Sequence, residues 1–333
     1  MADWIEASAP ARIDLAGGTL DLWPLHVLHP GSVTVNAAID LRARCRVRKG
    51  DRAFRVSVPG LGYERTAARP EELLGDPRGA LAGALLEAFE IAEPRDIELS
   101  TEVPYGSGLG GSSALTVAMA AALSASAGRE FGGAGEVDFV RDVETRVLGK
   151  PAGVQDYYPP LAGGLHALRF LPGKTEAVRR HVDPSAWLRH LTLFDTEAAH
   201  SSGMNNWEVY RARLEGDRDV ARRLEDVAVA AREMAEAAEA SDFHAMGAAL
   251  KREWDARRRL APVVSSPGVE AAIDAALGAG AWGGKACGAG GGGCVVILAP
   301  PEKTPAVRQA LQRLSEGRIL LVAVENRGLD VSS

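Results

Sequence analysis

The chain has 333 residues, 46% hydrophobic and 25% charged, an ordinary globular balance with length for two domains and an ample core. A formal net charge of −6 disfavours a nucleic-acid or anionic-membrane partner, so a site for an anion must be a local feature of backbone amides and metal. Cys45, Cys287 and Cys294 are too few and too widely spaced for a disulfide framework. The acidic opening MADWIEASAP does not read as a signal peptide, so none is expected, and the longest apolar run, 114–127, is too short for a bilayer. A cytoplasmic protein is expected.

Residues 5–22 open with short alternating apolar positions and turn at Gly17-Gly18. Residues 33–47 alternate as a strand, and 54–58 form a shorter one. This meander of strands ahead of the first long helix, 80–92, predicts an α+β fold rather than a doubly wound sheet. The strand Ile97–Val103 stops at Pro104, which has no N–H for a ladder. Gly106, Gly108, Gly110 and Gly111 follow, where the chain can take positive φ and approach a ligand closely. Ser112 or Ser113 is expected to cap the strong helix former ALTVAMAAAL. Glycines ahead of a helix N-terminus make a ready anion site, and a phosphate is the expected guest.

Three phosphate patterns compete for this loop. Gly106-x-Gly108-x-x-Gly111 fits the dinucleotide pattern, but Glu130, at the distance of its acidic partner, follows no convincing strand. No Gly-x-x-x-x-Gly-Lys-[Ser/Thr] occurs. The third pattern, Pro-x-x-x-Gly-Leu-Gly-x-Ser-Ser, is met by PYGSGLGGSS from Pro104 to Ser113.

A helix over 136–148 ends at Gly149, with Pro151 beyond. Glu144 falls on its apolar stripe of Val137, Val140 and Val147, a costly place for a lone carboxylate. Two readings stay open: a pair with Arg141 or Arg146 (or a stem reaching water), and a metal. A strand returns after Gly163-Gly164, and the polar, turn-rich 172–187 marks a boundary near residue 180. Domains of 1–180 and 181–333 are therefore expected. Leu191–Phe194 reads as a short strand, and 195–206 as a polar loop. The block 219–259 is helical and broken near Ser241, with Val220, Leu224, Val227 and Ala231 on one face and a solvated charged face opposite. The dense glycine run Gly283–Gly293 leads into the buried strand Cys294–Leu298, which implies a backbone pressed against something.

Three collinear motifs resemble those of the GHMP kinases, the galactokinase, homoserine, mevalonate and phosphomevalonate kinase superfamily. PARIDLAGGTLDL, from Pro10 to Leu22, is similar to the N-terminal motif of its sugar kinases. Pro104–Ser113 resembles the family's ATP-binding loop. Lys285–Cys294, KACGAGGGGC, resembles its C-terminal glycine motif, with Cys287 where threonine is usual. The resemblance implies an α+β, two-domain GHMP kinase fold: a ribosomal protein S5-like N-terminal domain, a ferredoxin-like C-terminal domain and a site in the cleft between them.

It also implies roles. Gly106, Ser107, Gly108, Leu109, Gly110, Gly111, Ser112 and Ser113 would bind ATP, and Ser112 with Glu144 would hold Mg²⁺, whose preference is for such hard oxygen donors. Asp156 would be the catalytic base and Arg12 its neighbour at the transferred phosphate. Gly18, Thr19, Asp21 and Gly290 would contact the substrate. The Ala16–Thr19 turn and Gln155-Asp156-Tyr157 resemble the heptose-phosphate and fucose kinase branch. The expected activity is phosphorylation of a sugar or sugar-phosphate hydroxyl, the anomeric one first, by a monomer or homodimer. A non-catalytic sugar and ATP sensor is one alternative, against which intact Arg12, Glu144 and Asp156 count. A mevalonate-type kinase is another, against which Asp21 and its polar turn count. The segment His200–Trp207 is polar enough to touch a sugar or its phosphate.

Overall fold

The computed structural model describes residues 4–132, 135–197 and 202–332. In chain order its first half runs β1 (Ile5–Ala16), α1 (Leu25–Leu28), β2 (Val33–Lys49), β3 (Phe54–Val58), β4 (Tyr63–Ala67) and α2 (Ala80–Ala88). It continues through β5 (Arg95–Thr101), α3 (Gly111–Ser126), α4 (Glu136–Leu148), α5 (Tyr158–Ala162), β6 (Leu165–Leu171) and β7 (Lys174–Arg180). Next come α6 (Pro184–His190), β8 (Leu191–Asp195), α7 (Ser202–Leu214), α8 (Arg218–Glu239), α9 (Phe243–Arg257) and α10 (Pro267–Gly278). The chain closes with β9 (Gly283–Ala286), β10 (Cys294–Leu298), α11 (Thr304–Gln312), β11 (Arg318–Leu320) and β12 (Asp330–Ser332).

The first sheet runs β12-β1-β2-β5-β3-β4, with β6 on β2 and β7 on β6. Only β3 and β5 pair in parallel among its described strands. Strand β2 is long enough to serve two partners: its first residues, from Val33, face β6, and its last, from Ala43, face β5. The second sheet, β11-β8-β10-β9, is antiparallel throughout. The arrangement is α+β, as the strand meander predicts.

Two cores explain why the site lies where it does. Helices α2, α3 and α4 cover one face of the first sheet, through Leu85, Val117, Leu123 and Val140 against Phe54 and Leu99. The alanines of α3 let it lie close to β1, itself buried from Ala7 onward. A second cluster joins the two sheets, with Ile13, Leu15, Val35 and Leu109 packed among Leu193, Leu250 and Val296. The strand ends and glycine turns around that shared core therefore face one another.

Several local expectations need correction. The first long helix ends at Ala88 rather than 92, because Glu90 takes φ 55° and the Ile91 N–H folds back to the Leu86 carbonyl at 2.9 Å. The polar stretch read as turns holds β7 and α6. Its strand is polar because β7 lies at the sheet's edge with no fully buried residue. The expected loop over 195–206 already contains the start of α7 at Ser202, while His200 and Ser201 lie outside the described residues. The break near Ser241 is as expected: that residue takes φ 54°, and Asp242 caps α9 by accepting from the Ala245 N–H at 3.0 Å. Cys45, Cys287 and Cys294 are free and buried. Among the described residues, no helix is long and apolar enough to cross a membrane.

Candidate active site

The loop after β5 turns on Gly106, Gly108 and Gly110, with φ of 69°, 73° and 71°. Gly110, left-handed, is the N-cap of α3 and brings no side-chain cap. Ser112 and Ser113 therefore sit inside the first turn, not at the cap expected of them, since glycine takes this conformation without the Cβ penalty. Leu109 is completely buried, which contributes about 2 kcal/mol and pins the loop to the shared core. Its carbonyl accepts from the Arg12 N–H at 3.0 Å, so Leu109 enters the site through its backbone.

The second glycine run presses on this loop. The Cys294 N–H donates to the Ser107 carbonyl at 2.8 Å, and a Cβ on Gly293 (φ +73°) would lie 2.6 Å from that oxygen. A Cβ on Gly288 would lie 3.1 Å from the Gly108 carbonyl. Gly290 packs instead on the turn at Pro262–Val264, where a Cβ would meet the Val264 carbonyl at 2.2 Å.

Arg12, on β1 and 3% exposed, connects the loop to a carboxylate from the segment before α5. Its Nη1 donates to the Gly108 carbonyl at 2.5 Å, while Nε donates to Asp156 Oδ1 at 2.8 Å. Nη2 lies 2.8 Å from the same Oδ1. Burial works against the guanidinium charge, yet Asp156 and Asp14 outweigh it and raise its pKa, so Arg12 is a permanent cation.

Glu144 is buried at 7% exposure on α4 and has no basic partner among the described residues. Arg141 turns to Asp138 and Asp142, and Arg146 to Glu87. The ion-pair reading is therefore set aside. Three hydroxyls converge on Glu144 instead: Ser112 donates to Oε1 at 3.0 Å, Ser113 to Oε2 at 3.2 Å and Tyr157 to Oε2 at 2.6 Å. Burial raises its pKa, and the Tyr157 and Ser112 hydrogen bonds oppose that rise. Ser112 itself is exposed at the mouth of α3.

Asp21 follows the Gly17–Thr19 turn and is 4% exposed, its Oδ2 accepting from the Gln155 N–H at 3.1 Å. Gly153 lies so close that a Cβ there would fall 1.9 Å from that oxygen. Burial, then the neighbouring charge of Asp156, pushes the Asp21 carboxyl up to about 7. Gly18 is tight against Asp14 and Gln155, whose Oδ2 and Nε2 each lie 2.8 Å from where a Cβ would be. The Thr19 hydroxyl does not face open space: it donates to Asn206 Oδ1 at 2.8 Å and accepts from Arg257 Nη1 at 3.2 Å.

Five polar residues here escaped the sequence. Asp14, Tyr157, Glu253, Arg257 and Lys285 are all buried. Lys285 stood within a quoted motif without a role, and Glu253 with Arg257, spaced i,i+4 in a charge-rich helix, reads as a solvated pair. The pairing of Lys285 with Asp14, and of Glu253 and Arg257 with the Gly17–Thr19 turn, spans more than two hundred residues and has no local signature.

The family profile described as GHMP kinases N terminal domain matches residues 78–164, and that described as GHMP kinases C terminal matches 234–316. The chain belongs to the GHMP kinase family. Members of this family related to the chain are kinases. The D-glycero-alpha-D-manno-heptose 7-phosphate kinase of Campylobacter jejuni is 26% identical over 320 residues, 93% of each chain. A mevalonate kinase of Thermococcus onnurineus is also 26% identical, over 98% of this chain and 97% of its own. Among solved structures, a D-glycero-D-manno-heptose 1-phosphate kinase from Bacteriodes thetaiotaomicron shares the fold with TM-score 0.78 and 20% identity, covering 99% of both chains.

Proposed function

We propose that this GHMP kinase transfers the γ-phosphoryl group of ATP to a hydroxyl of a sugar or sugar phosphate, with the anomeric hydroxyl as first choice. One observation carries the reading: Arg12 bonds the glycine loop at Gly108 and the Asp156 carboxylate together, with both nitrogens that reach Asp156 on Oδ1. Among the described residues nothing donates to Oδ2, so that oxygen is available for an acceptor hydroxyl. Asp156 takes the hydroxyl proton, while Arg12 orients Asp156 and places positive charge beside the transferred group. The amides of the loop and of the first turn of α3 receive the phosphates. Phosphoryl transfer asks mainly for such positioning and neutralisation.

Ser112 and Glu144 fit Mg²⁺ by donor chemistry: a hydroxyl and a buried carboxylate with no cationic partner among the described residues are hard oxygen ligands. Bound there, Mg²⁺ would neutralise the phosphate oxygens. Asp21, Gly18 and Thr19 form the acceptor side, and Gly290 belongs to the same motif-based assignment. Asp21 with a pKa near 7 can donate as well as accept, a useful property toward polyols. The heptose 7-phosphate kinase relative supports this substrate class. In this reading residues 1–180 and 181–333 are the two domains of a cytoplasmic monomer or homodimer.

The full-length mevalonate kinase match supports a second acceptor class, mevalonate. A coupled ADP-release assay across sugars, sugar phosphates, mevalonate and homoserine separates the two. Turnover with a sugar or sugar phosphate is expected. Turnover with mevalonate alone would replace the reading, and tight sugar binding without turnover would make the protein a sensor.

A further inference from the structure

Four charged side chains form a buried chain beneath the Gly17–Thr19 turn. Lys285 Nζ, on β9, lies 2.8 Å from Asp14 Oδ2 on β1 and 3.8 Å from Glu253 Oε1 on α9. Glu253 Oε1 in turn lies 2.7 Å from Arg257 Nη2. All four side chains are at most 2% exposed. Their charges alternate and cancel, so the chain joins elements of both sheets without leaving a net buried charge.

The far end of this chain grips the turn. Arg257 Nη2 donates to the Gly18 carbonyl at 2.6 Å and Nη1 to the Thr19 hydroxyl at 3.2 Å, while the Gly17 N–H donates to Glu253 Oε1 at 3.3 Å. Thr19 needs this grip. Its φ is +77°, a conformation that β-branched residues rarely adopt and that persists only when the surroundings over-determine it. Two residues later Asp21 meets the Gln155 N–H, and Asp156 follows Gln155. A buried ionic chain is a poor source of stability compared with apolar packing.

We infer that Arg257 is a positioning residue for the acceptor site, holding Gly18 and Thr19 so that Asp21 stands beside Asp156. Glu253, Lys285 and Asp14 fix the Arg257 guanidinium from behind. The inference rests on the acceptor side assigned above, and it makes the acceptor half of the site depend on α9 and β9 while the nucleotide loop depends on Arg12 and Gly293. Substituting Arg257 should therefore injure one half and spare the other.

The test uses the full-length protein and Arg257→Met, Arg257→Lys and Glu253→Gln. Amide exchange read by mass spectrometry should speed up roughly tenfold over peptides covering 15–23 in Arg257→Met, with peptides covering 106–113 unchanged. Affinity for Mg²⁺ with the analogue AMPPNP should stay within about twofold, while KM for D-glycero-D-manno-heptose 7-phosphate rises about tenfold or more. Lysine keeps the charge but not the planar fork, so Arg257→Lys should fall between. Glu253→Gln, which keeps its shape, should loosen the same peptide and stands in if Arg257→Met fails to fold. Unchanged exchange over 15–23 in the folded variants would overturn the inference. So would equal loosening everywhere with a parallel loss of AMPPNP affinity, which would make the chain a general support. If the wild-type protein phosphorylates no sugar or sugar phosphate of the panel, the substrate reading falls, while the exchange and AMPPNP measurements still decide the role of Arg257.

Discussion

Arg12 holds Asp156 by one oxygen only: Nε and Nη2 both lie 2.8 Å from Oδ1. A carboxylate held this way is oriented through one oxygen, and among the described residues nothing donates to Oδ2, the oxygen the proposed base would use. The same guanidinium reaches Gly108, so one side chain links the glycine loop to the Asp156 carboxylate.

Asp156→Asn preserves the shape and an oxygen toward Arg12 while removing the base. A positioned base contributes about 10²–10⁴-fold, and kcat should fall in that range. KM for ATP should move less than about threefold, because the lost interaction is made mainly in the transition state. Steady-state kinetics with ATP and the best acceptor from the panel checks this. A large KM change with kcat intact would make Asp156 a binding residue.

Glu144→Gln keeps an acceptor oxygen for the Tyr157 and serine hydroxyls and removes the charge. The fold should survive, and the Mg²⁺ concentration needed for half-maximal nucleotide binding should rise at least about tenfold. Calorimetric AMPPNP titrations at several Mg²⁺ concentrations measure this. An unchanged Mg²⁺ dependence would leave Glu144 as the hub of a hydroxyl network and nothing more.

Gly293→Ala tests the contact between the two glycine runs. Its Cβ would lie 2.6 Å from the Ser107 carbonyl, whereas at Gly128, also at positive φ, a Cβ meets nothing within 4 Å. Gly128→Ala therefore isolates the conformational penalty, about 1 kcal/mol. Gly293→Ala should cost clearly more in thermal unfolding and should also lower AMPPNP affinity about tenfold. Equal destabilisation by the two, with nucleotide affinity intact, would separate the second glycine run from the loop.

The features legible in the sequence are those with local causes. Helix α4 and its Gly149 stop, the strand Cys294–Leu298 and the glycine loop each carry their own chemistry in consecutive residues. Glu144 also stood out locally, as a carboxylate on an apolar stripe. What stayed hidden was decided by tertiary pairing. Lys174–Arg180 is too polar to read as a strand until β6 is placed beside it. Glu253 and Arg257 look solvated until Gly17, Gly18 and Thr19 arrive from the other end of the chain. The serines of α3 look like caps until Gly110 takes that position and Glu144 takes their hydroxyls.

Asp21 predicts a pH dependence. Burial first, and Asp156 second, push its carboxyl up to about 7. An unfolded aspartate loses its proton near pH ~3.9. Between about pH 4 and about pH 7 the folded chain therefore binds the extra proton, and this contribution to stability is lost as pH rises through that window. Linkage sets it on the order of 4 kcal/mol at most. Asp21→Asn cannot ionise and should flatten the stability curve, measured by urea unfolding at pH 5 and pH 8. Parallel curves for the two proteins would contradict a raised Asp21.

The central claim is phosphoryl transfer to a sugar hydroxyl by the Arg12–Asp156 site, and product analysis by NMR tests it most directly. Wild type and Asp156→Asn are incubated with Mg²⁺, ATP and D-glycero-D-manno-heptose 7-phosphate, and the new phosphorus signal is assigned by its coupling. The wild-type product should show that phosphorus coupled to the anomeric carbon and proton, formed orders of magnitude more slowly by the variant. A new phosphate on another hydroxyl would contradict the anomeric assignment. Equal product from the variant, or none from wild type with any sugar or sugar phosphate of the panel, would contradict the account.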